Sequence, residues 1–301
     1  MGENLSEGPS RELKRGNWYA LSAYTAWGFF PAYWHLLKAF PAFEILSHRI
    51  LWSFAFYWTL LGWRTKGRSS VSWLKLFKNR EARNLILLAS VFISTNWCLY
   101  IYAVTHGHIL EASLGYFITP LLNVGMGRII LNERLTPLRW TAMALAAAGV
   151  MVLVVQAGQV PVIALSLAFT FATYGLIRKK IKADVFEAST AETAAVVIPA
   201  LITALYLRFG AENPVPMGAA DLFFLIGGGI VTGIPLVWFA QAARLLPLSR
   251  LGFFQYIAPS IQFVLGVWVY GEPFTQAKLY AFAFIWAALG VFTYESTRRQ
   301  V

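Results

Sequence analysis

Long apolar runs parted by short polar breaks fill the chain. They predict hydrophobic helices at residues 17–37, 42–62, 85–105, 110–131, 138–156, 160–177, 190–207, 222–240, 251–270 and 277–294. Most approach the roughly 20 residues that an α-helix needs to span a bilayer. Proline and glycine punctuate them: Pro31 in the first run, Pro120 in the fourth, Gly233 and Pro235 in the eighth, Pro259 in the ninth. Each of these is expected to break or kink its helix. The stretch VSWLKLFK, between the second and third runs, has the pattern of a short helix lying on a membrane surface.

The pattern is written twice. Residues 96–136 return at 235–275, so that Ala103 maps onto Ala242, Pro120 onto Pro259, Gly127 onto Gly266, Glu133 onto Glu272 and Thr136 onto Thr275. Repeats of this kind decide the architecture. In the first copy Ser113, Tyr116, Pro120, Asn123 and Gly127 recur at steps of three and four, hence on one helix face. In the second, Gly252, Gln255, Pro259, Gln262 and Gly266 form the same stripe. Such a stripe serves either tight helix packing or a substrate path. Five runs per copy make the second copy enter the membrane from the opposite side. The expected fold is an all-α integral membrane protein of ten transmembrane helices arranged as a 5+5 inverted repeat. Its parts are a disordered cytoplasmic N-terminus (1–16), a first unit (17–156), a second unit (160–294) and a cytoplasmic tail (295–301).

Composition agrees. Hydrophobic residues make up 58%, charged residues 13%, and mean hydropathy is +0.57. A soluble domain carries about a quarter charged residues. The net charge of +11 sits in short loops between apolar runs. With the N-terminus inside, Lys38, Arg208 and Lys278 are the loop cations left outside, and the basic clusters at 64–83 and 178–182 both fall inside. This is the positive-inside pattern, so the charge sets membrane orientation and implies no nucleic-acid partner.

Catalytic signatures are missing. No GxxxxGKS/T loop, HExxH or GxSxG occurs, and Cys98 is the one cysteine. His106 and His108, two apart, read as loop residues. The expectation is a non-enzyme with no cofactor and no metal, whose partners are membrane lipid and a small-molecule substrate; oligomeric state is not encoded legibly. Inverted repeats place a transporter's substrate near the midplane, beside broken helices. The residues suited to grip an amphipathic molecule there are Trp27, Asn96, Tyr100, Tyr116, Asn123, Trp238, Gln241, Gln255 and Gln262. Aromatic rings supply area and amides fix polar groups. Pro120 and Pro259 are the candidate hinge.

Ionisable groups inside spans are costly and functional by default. Glu44, Glu111 and Glu192 are therefore candidates for ion coupling. A shift of 143 maps Glu44 onto Glu187, Ser47 onto Thr190 and Arg49 onto Glu192, which permits an Arg49–Glu192 pair between the copies. Glu133 and Glu272, at loop edges, read as capping residues.

Three segments carry a family resemblance: GNWYALSAYTAWGFFPAYWHLL, EILSHRILWS and NWCLYIYAVTHGHILEASLGYFITPLLNV. With the doubled proline–glutamate spacing, they resemble the RarD-type permeases of the EamA branch of the drug/metabolite transporter superfamily, over nearly the whole chain. The resemblance implies a multi-pass protein of the bacterial inner (plasma) membrane with both termini cytoplasmic. It also implies spans 1, 3, 4, 6, 8 and 9 around a central cavity, and export as a common activity. The second copy departs from the first at Asn96/Pro235 and Arg49/Glu192, so the copies should not share identical roles. The leading reading is a secondary transporter exporting a small amphipathic metabolite or drug by alternating access. The alternatives are a channel-like facilitator and a membrane-bound non-transporting protein.

Overall fold

The computed structural model describes residues 9–66, 71–105, 109–158, 161–269 and 275–298. His106, His108 and Glu272 lie outside the described residues, as does the side chain of Glu111. The described chain is helical, with no strand: α1 (Pro9–Gly28), α2 (Phe30–His35), α3 (Ala42–Arg64), α4 (Leu74–Lys78), α5 (Arg80–Thr105), α6 (Ile109–Ile130), α7 (Pro137–Ala157), α8 (Val162–Lys180), α9 (Val185–Leu205), α10 (Ala219–Leu245), α11 (Leu248–Gln255), α12 (Ile257–Trp268) and α13 (Gln276–Arg298). A π turn, Tyr206–Gly210, extends α9. Among the described residues, five stretches are long and apolar enough to cross a membrane: Arg80–Ala103, Pro137–Gln156, Val162–Lys180, Val185–Gly210 and Ala219–Leu245. Large apolar side chains stand open around the bundle, among them Phe209 at 81% and Trp268 at 80% exposure. A water-soluble fold would bury such area, whereas lipid accepts it.

Local chemistry fixes the helix ends. Thr136 accepts from Arg139 N ahead of Pro137 at the start of α7. Asp184 accepts from Phe186 N at the start of α9. Each satisfies backbone donors that a helix leaves over in its first turn. The start of α11 is capped from elsewhere: Glu133, after α6, accepts from Leu248 N at 2.6 Å, Ser249 N at 3.0 Å and Ser249 Oγ at 2.7 Å. The capping role expected of Glu133 is thus exerted on the other half of the chain.

Pro31 marks a real interruption, with Phe29 separating α1 from α2. A break at Tyr256 separates α11 from α12. By contrast α6 runs unbroken through Pro120, and α10 through Gly233 and Pro235. The break expected in the eighth run is absent because its glycines serve close packing. A Cβ on Gly229 would lie 2.5 Å from Trp52 Cβ and 2.7 Å from Ser53 N, so α3 rides directly on the α10 backbone. Ser53 Oγ and Tyr57 Oη use that approach to donate to the Gly229 and Gly233 carbonyls.

The main packing partners are α7 with α13, α6 with α8 and α11, α3 with α9 and α10, α1 with α10 and α12, and α5 with α8 and α9. One end of the bundle, where α1 begins, is drawn tight. There Arg64 meets Asp184 at 3.3 Å, Lys179 Nζ donates to Leu246 O at 2.5 Å, and Glu133 holds α11. A buried Arg139–Glu295 pair at 3.1 Å ties α7 to α13.

Candidate functional site

A cavity lies between the helices, offset toward the end opposite that tight one. The first half of the chain contributes Tyr24, Trp27, Phe30, Arg49, Asn96, Trp97, Tyr100 and Tyr116. The second contributes Phe171, Thr232, Leu236, Gln255, Ala258, Pro259 and Gln262. The cavity's volume is about 60 Å³. An aromatic cluster floors it: Trp27 packs edge-on against Tyr24 at 5.3 Å and Phe171 at 5.6 Å, with Phe239 behind them.

The two stripes meet at the cavity's closed side. Gly252 faces α6 so closely that a Cβ would lie 3.0 Å from both Pro120 O and Asn123 Cβ. Just beyond, Asn123 Nδ2 donates to Gln255 Oε1 at 2.9 Å. Tyr116, Gln255, Pro259 and Gln262 line the cavity, and Gln262 Nε2 donates to Trp27 O at 3.1 Å. One part of each stripe is packing surface, and the other faces the cavity.

Of the sequence candidates, Trp27, Asn96, Tyr100, Tyr116, Gln255 and Gln262 come together as lining, with Pro259 beside them. Asn96 is held on the wall, its Nδ2 donating to Leu167 O and Thr170 Oγ1. Asn123 touches the site through Gln255 only. Trp238, Gln241 and Pro120 are not among the lining residues, and Glu44 is buried in the first turn of α3 away from them.

Glu192 sits in a separate buried network. Its Oε1 accepts from Arg178 Nη1 at 2.6 Å and its Oε2 from Tyr174 Oη at 3.2 Å. The Arg49–Glu192 pair that the repeat permits is not made. Arg178, in the last turn of α8, pairs with Glu192 instead. A smaller cavity borders this network, and Trp97 and Leu236 line both spaces.

Among the lining residues that the sequence candidates do not include, Arg49 is the charged one. It is 4% exposed, its Cζ lies 4.5 Å from the Trp34 ring centre and 4.6 Å from that of Trp97, and its Nε donates to Thr232 Oγ1 at 3.2 Å. Its cost inside an apolar span was the signal that could have placed it here. No group of three or more metal-ligating side chains occurs among the described residues.

The EamA-like transporter family model matches residues 14–155. A Salmonella typhimurium protein called protein RarD is 43% identical over 97% of this chain and 98% of its own. An uncharacterized transporter of Vibrio cholerae is 42% identical over 96% of this chain and 95% of its own. A crystal structure at 19% identity superposes with a TM-score of 0.69, covering 92% of this chain and 97% of that one, which speaks to the fold alone.

Proposed function

The chain belongs to the EamA-like transporter family, in its RarD branch, and from that premise we propose that it is a secondary transporter exporting a small amphipathic metabolite or drug by alternating access. The observation that carries this reading is the cavity itself: both halves line it, and the crossing of α6 and α11 closes one side.

The ten-span inverted repeat is part of the proposal, with units at 17–156 and 160–294. The packing supports it. Exchanging the halves turns α6 on α8 into α1 on α12, α1 on α10 into α5 on α8, and α3 on α10 into α5 on α9; α3 on α9, α6 on α11 and α7 on α13 map onto themselves. Under the same exchange the closed contact Asn123–Gln255 becomes Gln262–Tyr116, two residues that line the cavity without a hydrogen bond between them. In the alternate state that second pair closes and the first parts. The bacterial relatives and the basic residues at the tight end favour an inner-membrane protein with both termini cytoplasmic. Glu44, Glu111 and Glu192 are the proposed ion-coupling carboxylates.

The test is flux in proteoliposomes, with and without a pH gradient across the bilayer. Saturable, gradient-responsive movement of an amphipathic solute is expected. Flux that rises linearly with solute concentration, at channel rates, would point instead to a facilitator.

A further inference from the structure

We propose that the cavity recognises its substrate as a small organic monoanion, an aromatic carboxylate, bound through the Nη edge of Arg49. The proposal rests on the transporter reading and adds the chemical class.

Arg49 is as buried as Arg178, at 4% and 3% exposure. Arg178 is matched by Glu192 at 2.6 Å, and buried Arg139 by Glu295 at 3.1 Å. Arg49 has no carboxylate within ion-pair distance among the described residues. An uncompensated buried cation is strongly unfavourable. Two indole faces and one hydroxyl offset part of that cost. A guanidinium has five N–H donors. Nε uses one on Thr232, and the four on Nη1 and Nη2 have no hydrogen-bond partner among the described residues. With rings against its plane and Nε engaged, the Nη pair is the edge that remains. It is the fork that matches a carboxylate with two parallel bonds.

The rest of the lining narrows the class. Arg49 is the one charged residue among those that line the cavity. A monoanion therefore leaves a neutral complex, a phosphate dianion leaves an excess negative charge, and a zwitterion's ammonium finds no carboxylate. Much of the remaining wall is aromatic, through Tyr24, Trp27, Phe30 and Phe171, beside the neutral amides of Asn96, Gln255 and Gln262, which suits a flat apolar body. Neutrality also has a mechanical consequence. The empty cavity keeps a bare cation that favours water access, while the occupied one can close into low dielectric.

The experiment measures equilibrium binding to the purified full chain in detergent. Benzoate, phenylacetate and indole-3-carboxylate are each compared with the corresponding amide and with phenyl phosphate. At least one acid should bind about tenfold or more tighter than its amide, the worth of a charge-assisted pair of bonds. Arg49→Gln should erase that preference and Arg49→Lys should keep only part of it. Equal binding of acid and amide by wild-type protein, for all three, would overturn the proposal whether or not the variants fold. So would an acid preference that survives in folded Arg49→Gln. Proteoliposome flux separates the two claims: saturable flux of other solutes without acid binding discards the anion and keeps the transporter. Acid binding at Arg49 with no flux of any bound acid keeps the site and discards the transporter.

Discussion

Asn123 on α6 donates to Gln255 at the end of α11 over 2.9 Å, a bond between equivalent stripes on the two halves of the chain. It seals the cavity's closed side beside Gly252. Replacing Gly252 with Leu drives a side chain into Pro120 O and Asn123 Cβ, already 3.0 Å from an ideal Cβ. Overpacking of this kind costs about 1–3 kcal/mol, here charged to one conformational state. The expected outcome is a protein that still folds but opens toward the tight end. Faster labelling of a cysteine at Gln255 from that side would show it, and an unchanged rate would refute it.

Gly229 makes a different claim, about the fold itself. Its missing side chain lets α3 lie on α10 with Trp52 Cβ at 2.5 Å from the Cβ position. Gly229→Ala must separate the two helices and weaken the Ser53 and Tyr57 bonds. A loss of about 1–3 kcal/mol is expected, read as a lowered melting temperature in detergent. Gly290, whose Cβ position has nothing within 4 Å, is the control and should tolerate alanine.

The Arg178–Glu192 pair is buried on both sides, at 3% and 5% exposure. Glu192→Gln strands the Arg178 charge, and breaking a buried pair this way costs about 3–5 kcal/mol. Replacing both residues with leucine removes the stranded charge, so the double variant should melt above Glu192→Gln. A double variant that melts below it would show that the network's polar bonds, to Tyr174 and Ser189, outweigh the pair.

The two repeat-related prolines should prove unequal. Around Pro259 the chain is already broken at Tyr256, and the carbonyl it leaves free belongs to Gln255, at the cavity. Around Pro120 the helix is continuous. Pro259→Ala restores a backbone donor and favours one straight helix. It should slow transport several-fold with substrate binding near normal, and Pro120→Ala should do so far less. Equal effects, or none, would remove the hinge.

The helical, apolar character of the chain is legible in the sequence, because apolar runs follow directly from the bilayer. The ends of α6 and α7 fall within one residue of the runs that predict them. Gly233 is expected from its type to break its helix and does not, since a glycine's effect depends on what lies across from it and Phe56 is distant in sequence. Glu133 shows the same limit: its type announces a cap, but only folding brings α11 to it. Arg178 lies in the last turn of α8 and Glu192 well inside α9, so their pairing depends on how the two helices pack. Arg49 was visible as a costly charge, yet its indole partners, Trp34 and Trp97, lie on two other helices.

Alternate exposure of one cavity to the two sides of the membrane can be tested without knowing the substrate. Asn123→Cys and Gly252→Cys place their Cβ atoms about as close as 3.0 Å, slightly inside the roughly 3.5–4.5 Å of a disulfide, so oxidation should lock the closed side. A third cysteine at Gln262, in a Cys98→Ala background, reports on the cavity to membrane-impermeant thiol reagents. Before oxidation it should react from both sides of the membrane, in intact cells and in inverted vesicles. After oxidation it should react only from the side opposite the N-terminus, and reduction should restore both. Reaction from both sides in the locked protein would contradict alternating access and describe a channel.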